Sequence, residues 1–220
     1  MSTWAILAAA GSGERLGADR PKAFVALGEL PLLATPLERL DESEWIDAIV
    51  VAAPPGWEEP SILLAEEIGA GKVSAVVTGG ATRAESVRLA LDEVPADAVA
   101  VLVHDAARPL VTDELVGRVL APLGEGWDGV VPALPVADTV KRVDGDRVLE
   151  TLHRDDLVAV QTPQAFLADT LRRAVAGGDD ATDCAGLVEA AGGRVRWVDG
   201  DPKLLKVTTT ADLERAAAWL

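Results

Sequence analysis

The residues best suited by type and spacing to do chemistry lie near the start of the chain. Ala9-Ala10-Gly11-Ser12-Gly13-Glu14-Arg15 follows an apolar segment, and Pro21-Lys22 comes a few residues later. Small residues and glycines let backbone N–H groups approach an anion, and Arg15 and Lys22 supply cations to neutralise it. The stretch reads as a phosphate cradle. It fits neither of two better-known glycine loops. Leu16 stands five residues after Gly11 with no Gly-Lys pair following, which excludes a P-loop. Gly17 comes one residue late for the dinucleotide pattern, and the next strand runs into Pro54-Pro55 without an acidic residue for a ribose. The plain alternative, on this stretch alone, is a glycine turn with no ligand.

Two further groups stand where such a site would need them. The apolar run Ala98–Val103 leads into His104-Asp105-Ala106-Ala107-Arg108-Pro109, and Gly79-Gly80 precedes Thr82 and Glu85, the pattern of a capping box at a helix start. The formal net charge is −16, which argues against a nucleic-acid surface or an anionic membrane surface. A phosphate ligand must therefore be held by local cations, and Arg83, Arg108, Lys141, Arg154, Lys203 and Lys206 are the further candidates. Cys184 is the single cysteine, so no intrachain disulfide or cysteine-based zinc site can form. No apolar run is long enough to span a bilayer, and the expectation is a soluble, cytoplasmic protein. Six Trp, two Phe and no Tyr are too few for a base-stacking surface, and the tryptophans read mostly as packing residues.

These residues need a scaffold, and the hydrophobic pattern supplies one. A first strand ends at the glycine loop, a helix is expected over 32–40, a strand over 47–53, a helix over 58–68 and a strand over 72–77. A helix follows from Thr82, the run 98–103 reads as a strand buried on both faces, a helix runs from Thr112 to Leu123, and a strand covers 129–135. The alternation then breaks. Residues 139–143 and 147–151 flank Asp144-Gly145, the composition of a tight hairpin. A two-stranded hairpin is marginal alone in water, so it is expected to lean on another subunit as a dimerisation arm. The chain re-enters at 158–164, with helices near 166–176 and 182–191, a strand over 194–198 and a helix from about Thr210. One α/β domain over 1–220 is expected. It is Rossmann-like, with a mostly parallel twisted sheet, helices on both faces and a protruding β-hairpin arm inserted at about 136–154.

With these segments placed, the chain resembles the 2-C-methyl-D-erythritol 4-phosphate cytidylyltransferases of the non-mevalonate isoprenoid pathway over nearly its full length. The blocks that carry the resemblance are the loop from Ala9 to Arg15 with Pro21-Lys22, Gly79-Gly80 with Arg83 and Ser86, and residues 104–109. They continue with residues 135–141, Gln161-Thr162-Pro163-Gln164, Thr182-Asp183 and Lys206-Val207-Thr208. The resemblance implies transfer of CMP from CTP to the phosphate of 2-C-methyl-D-erythritol 4-phosphate, a sugar-alcohol phosphate, with release of pyrophosphate, Mg²⁺ as cofactor and a homodimer formed through the arm.

By the same resemblance the CTP site comprises Ala9, Ala10, Gly11, Ser12, Gly13, Arg15, Lys22, Gly80, Ala81, Ser86, Asp105 and Ala106. The acceptor site comprises Asp105, Arg108, Thr139, Arg154, Thr162, Thr182 and Lys206, with Thr139 and Arg154 reaching the site of the partner subunit. Arg15, Lys22, Asp105, Arg154 and Lys206 are the expected catalytic set. Asp105 is the expected Mg²⁺ or substrate-hydroxyl ligand and Asp201 a second metal candidate, while a helix cap is the alternative for Asp105. His104 is expected to pack and hydrogen-bond, since the attacking phosphate is already anionic. Three positions depart from the family pattern: Ala81 and Cys184 where acids are common, and Leu204 where Asn is expected. Cys184 is expected to be a half-buried helix residue. Ribitol 5-phosphate as acceptor, or a non-catalytic CTP sensor, are the competing readings.

Overall fold

The computed structural model describes every residue except 1, 12, 14, 15, 18 and 178–180. The expected roles of Ser12 and Arg15 therefore lie outside the described residues.

The scaffold is a sheet whose centre consists of apolar runs. β1 (Thr3–Ala8) lies between β4 (Ala48–Ala53) and β6 (Ala100–Asp105), all parallel, and β5 (Val73–Thr78) extends the sheet beyond β4. β4 and β6 are buried along their whole length because helices cover both faces. One face carries Leu37 and Leu40 of α1 (Ala34–Glu42), Leu64 of α2 (Glu58–Glu67) and Leu115, Val116 and Val119 of α4 (Asp113–Leu120). The other carries Val87 of α3 (Arg83–Leu91), Leu171 of α5 (Ala168–Ala176) and Leu187 and Val188 of α6 (Cys184–Ala190). A last helix, α7 (Thr210–Ala217), is started by a capping box between Thr209 and Asp212.

The pairing registers bring the strand ends level. Ala8 pairs with both Ala52 and Asp105, and Ala53 pairs with Thr78. Loops leaving β1, β5 and β6 thus start from one edge, where open α/β sheets collect ligands.

Several local expectations are corrected. A small hairpin, β2 (Ala26–Leu27) and β3 (Leu30–Pro31), precedes α1, which starts at Ala34 rather than 32. α4 ends at Leu120 and continues as a 3₁₀ turn over Ala121–Glu125 that contains Pro122. The segment assigned to the start of a helix at 166 is instead β11 (Gln164–Leu167), antiparallel to β6 and to β7 (Gly129–Pro135). Its Phe166 is fully buried, and Gly129 leaves room for the ring, since a Cβ there would come within 2.8 Å of it. β10 (Val158–Val160) pairs along the same side of β7, and β12 (Val195–Asp199) is parallel to the other side. The capping box at Thr82 is half formed: Thr82 caps Glu85 N–H, but the Glu85 carboxylate takes the N–H of Ala81. Trp45, Trp197 and Trp219 are exposed, so half of the six tryptophans are not core residues. Cys184 is fully buried rather than half-buried, because it begins α6 on the packed side.

The hairpin is present as β8 (Lys141–Asp144) and β9 (Arg147–Thr151), and every one of their residues is exposed. Val143, Val148 and Leu149 lie uncovered on it.

Candidate active site

The loop after β1 is tied to the sheet by Ala9 N–H donating to the Ala52 carbonyl. Gly13 adopts a positive φ of 70° and lies against the root of Lys22, where a Cβ would come within 2.5 Å of the lysine Cβ. Any other residue would push the loop and the lysine apart. Lys22 begins a 3₁₀ turn whose next residues, Ala23 and Phe24, are buried, and Phe24 packs on Trp57 with ring centroids 4.6 Å apart. The core thus anchors the backbone from which Lys22 projects.

The facing wall is the glycine corner after β5. A Cβ on Gly79 would come within 2.2 Å of the Ala10 Cβ, so glycine is what lets corner and loop touch. Ser86 clips the corner to α3, since its hydroxyl accepts from Gly80 N–H at 3.0 Å and donates to the Thr82 carbonyl at 2.9 Å.

Asp105 ends β6 beneath these walls. No helix follows it directly, and α4 is capped by Thr112, so the helix-cap alternative for Asp105 does not hold. Its Oδ1 accepts from Arg83 Nε at 2.9 Å and its Oδ2 from Lys206 Nζ at 2.8 Å. Burial alone would raise this carboxyl, but the two cations overcome that and hold it well below the usual carboxylate range. Asp105 is ionised.

Behind it runs a chain of hydrogen bonds. Asp105 N–H donates to Thr162 Oγ1 at 3.1 Å, Thr162 Oγ1 lies 3.1 Å from His104 Nδ1, and His104 Nε2 lies 2.9 Å from the Arg108 carbonyl. A carbonyl can only accept, which assigns the imidazole proton to Nε2 and makes Nδ1 the acceptor of the Thr162 proton. His104 is fully buried, and burial pushes its pKa down to about 4, so it stays neutral with both nitrogens engaged. The expectation that it packs and hydrogen-bonds agrees with this geometry.

The segment carrying Lys206 is held by two ties. Val207 N–H donates to the Ala107 carbonyl, and Gln161 bridges the backbone of Asp201 and Leu204. Arg108 donates to the Leu204 carbonyl at 2.9 Å. Leu204, one of the departures, is fully buried beneath this segment.

A cleft of about 390 Å³ lies between these parts. Of the residues expected from sequence, Ala9, Ala10, Gly11, Lys22, Gly80, Ala81, Ser86, Asp105, Ala106 and Lys206 line it. Gly13 supports Lys22 from outside. Arg108 and Thr162 stand behind Asp105, and the Thr162 hydroxyl is engaged on both sides. Thr139 and Arg154 are exposed on and beside the arm, and Thr182 is exposed before α6; none of the three lines the cleft of their own chain. Asp201 does not line it either; its carboxylate accepts from Lys203 N–H in its own turn. From sequence Arg83 was only one of several candidate phosphate cations, where the structure pairs it with Asp105, and Gln161 had no role. Both stood inside the blocks that carry the resemblance, but their partners are distant in sequence. Among the described residues no group of three His, Cys, Asp or Glu side chains is poised around a metal position, and no helix is long and apolar enough to cross a membrane.

Comparison with known proteins agrees with this geometry. A family profile described as 2-C-methyl-D-erythritol 4-phosphate cytidylyltransferase matches residues 3–220. The chain is 50% identical over 218 residues to a Frankia casuarinae protein of that name, covering 98% of this chain and 80% of that one. It is 46% identical over 220 residues to the one from Nocardia farcinica, covering 100% and 94%. A crystal structure of the same-named protein from Thermus thermophilus aligns with a TM-score of 0.78 at 36% identity, covering 97% of this chain and 96% of that one.

Proposed function

The chain belongs to the 2-C-methyl-D-erythritol 4-phosphate cytidylyltransferase family, and from that premise we infer how its own residues carry the reaction. It transfers CMP from CTP to 2-C-methyl-D-erythritol 4-phosphate, giving 4-diphosphocytidyl-2-C-methyl-D-erythritol and pyrophosphate. The observation that carries the reading is the convergence of the β1 loop, the Gly79-Gly80 corner, Asp105 and Lys206 on one cleft.

A phosphate oxygen of the acceptor attacks the α-phosphorus in line as pyrophosphate leaves. The attacking group is already an anion, so no base is required, and neutral His104 has no free nitrogen to act as one. The protein's work is to gather two anions and stabilise charge on the α-phosphate oxygens. Lys22 bears on the α-phosphate, and Arg15 with the amides of Ala10 to Gly13 surrounds the β- and γ-phosphates. Gly80, Ala81 and Ser86 bound the cytosine. Lys206 takes the acceptor phosphate and Asp105 orients a hydroxyl.

A Mg²⁺ fits this cleft as an ion carried by the nucleotide. Asp105 is the one carboxylate among the described residues that line the cleft, both of its oxygens already accept from cations, and Mg²⁺ is satisfied by one carboxylate with phosphate and water oxygens. When bound it supplies neutralisation of the phosphates, with Asp105 the protein group able to face it.

The acceptor site is completed by Thr139 and Arg154 from a second copy, joined through the arm. Support comes from the exposure of the whole hairpin and of Val143, Val148 and Leu149 on it, an arrangement marginal for a lone hairpin in water. A cytoplasmic location belongs to the same reading and is supported by the single buried cysteine.

The test is pyrophosphate release by purified protein with CTP and Mg²⁺, offering methylerythritol phosphate or ribitol 5-phosphate as acceptor and ATP or GTP as rival donors. Release with CTP and methylerythritol phosphate is expected. Preference for ribitol 5-phosphate, or no release with any acceptor, would overturn the reading.

A further inference from the structure

Asp105 receives one cation on each oxygen, and the two cations differ in how they are held. Lys206 is 43% exposed at its side chain and rises from an irregular segment. Arg83 is 23% exposed, begins α3, and is pinned at its far end, where Nη1 donates to Cys184 Sγ at 3.1 Å. A cation in the first turn of a helix lies at the wrong end of the macrodipole, so its place there calls for a compensating anion. Asp105 is the one carboxylate paired with it among the described residues. Cys184 provides no second anion: burial pushes its thiol up, leaving it neutral. The thiol takes Nη1 alone, and Nη2 is buried without a protein partner among the described residues. An acid at position 184 would compete for the guanidinium, and the neutral Cys184 thiol does not.

A carboxylate as buried as Asp105, 7% exposed, cannot be left without a counter-ion. We propose that Arg83 is a positioning residue, the standing partner of Asp105, so that Lys206 can leave the carboxylate and move to the phosphate of the acceptor. The inference rests on the proposed reaction for the destination of Lys206, while the exchange of partners is a property of the protein alone. Without Arg83, Lys206 becomes the sole counter-ion of Asp105 and is retained by it.

The test uses Arg83→Gln, Arg83→Lys and Cys184→Asp, each checked for an unchanged fold by circular dichroism. In substrate-free protein, brief acylation of lysines is read by peptide mass spectrometry, with exposed Lys203 as the internal reference. Lys206 labelling is expected to fall several-fold in Arg83→Gln and to recover partly in Arg83→Lys. In steady state, the acceptor KM of Arg83→Gln should rise about tenfold, the scale of one charge-assisted hydrogen bond, while the CTP KM changes less than kcat and acceptor KM together. Cys184→Asp draws Arg83 away and should move acceptor KM in the same direction by a smaller factor. Unchanged Lys206 labelling in Arg83→Gln, or equal rises in both KM values, would overturn the proposal. Absence of pyrophosphate release in the unmodified protein would instead overturn the reaction, which the labelling does not require.

Discussion

At the residue scale the site is a set of charges whose protonation is fixed by their neighbours. Lys22 is set on a core-anchored turn and kept in place by Gly13, so removing its charge should leave the fold intact. Lys22→Ala should lower kcat by about 10²–10³-fold, the usual effect of losing one group that stabilises transition-state charge. Pyrophosphate release with unchanged thermal unfolding checks this, and near-normal turnover would remove Lys22 from the mechanism. His104 offers a test by pH. Its pKa falls from 6.5 to about 4 on folding, so the unfolded chain binds the proton that the folded chain refuses. Its share of stability is therefore complete above pH 6.5 and is lost as pH falls from 6.5 towards 4, reaching roughly 3 kcal/mol. His104→Gln should lose less stability than the unmodified protein between about pH 7.5 and about pH 4.5, measured by urea unfolding at each pH. Parallel losses would mean that His104 does not titrate with unfolding.

At the element scale the cleft depends on two connections whose close approach only glycine permits. Gly79 meets Ala10 where a Cβ would lie 2.2 Å from another Cβ and 3.0 Å from the Ala53 carbonyl oxygen, and neither neighbour is a flexible side-chain tip. Gly79→Ala should destabilise the protein by about 1–3 kcal/mol and raise the CTP KM, because the β1 loop must move to admit the methyl group. Gly124→Ala, where nothing lies within 4 Å of the new carbon, is the control. If both variants behave alike in urea unfolding and in CTP kinetics, the corner is not a steric fit. The legibility of elements followed the same physics. β4 is an apolar run over all six residues and β6 over its first four, both buried on both faces, and such runs announce themselves. β11 did not, because Gln164-Ala165-Phe166-Leu167 runs directly into α5 and so short a stretch carries no period of its own. Its identity as a strand comes from the slot between β6 and β7.

At the scale of the whole molecule the question is where the acceptor site ends. The cleft of one chain contains Lys22, Asp105 and Lys206, while Thr139 and Arg154 lie on an arm that its own body does not cover. If sites are shared between copies, mixing inactive Arg154→Ala with inactive Lys22→Ala protein should restore activity after subunit exchange, towards a quarter of the sites being intact at random pairing on the order of mass action. Exchange demonstrated by native mass spectrometry without any recovery would count against a shared site. The sequence by itself determined the strand–helix alternation, the glycine loops, the exposed arm and the family, because each is written in local composition, spacing or an ordered run of motifs. It did not pair Asp105 with Arg83 and Lys206, which lie 22 and 101 positions away, nor Thr162 with His104 at 58. Those contacts hold Asp105 ionised between two cations and fix which His104 nitrogen carries the proton. They exist only once parallel strands bring β1, β5 and β6 to one edge, since Coulombic and hydrogen-bonding energies depend on distance in space and not along the chain.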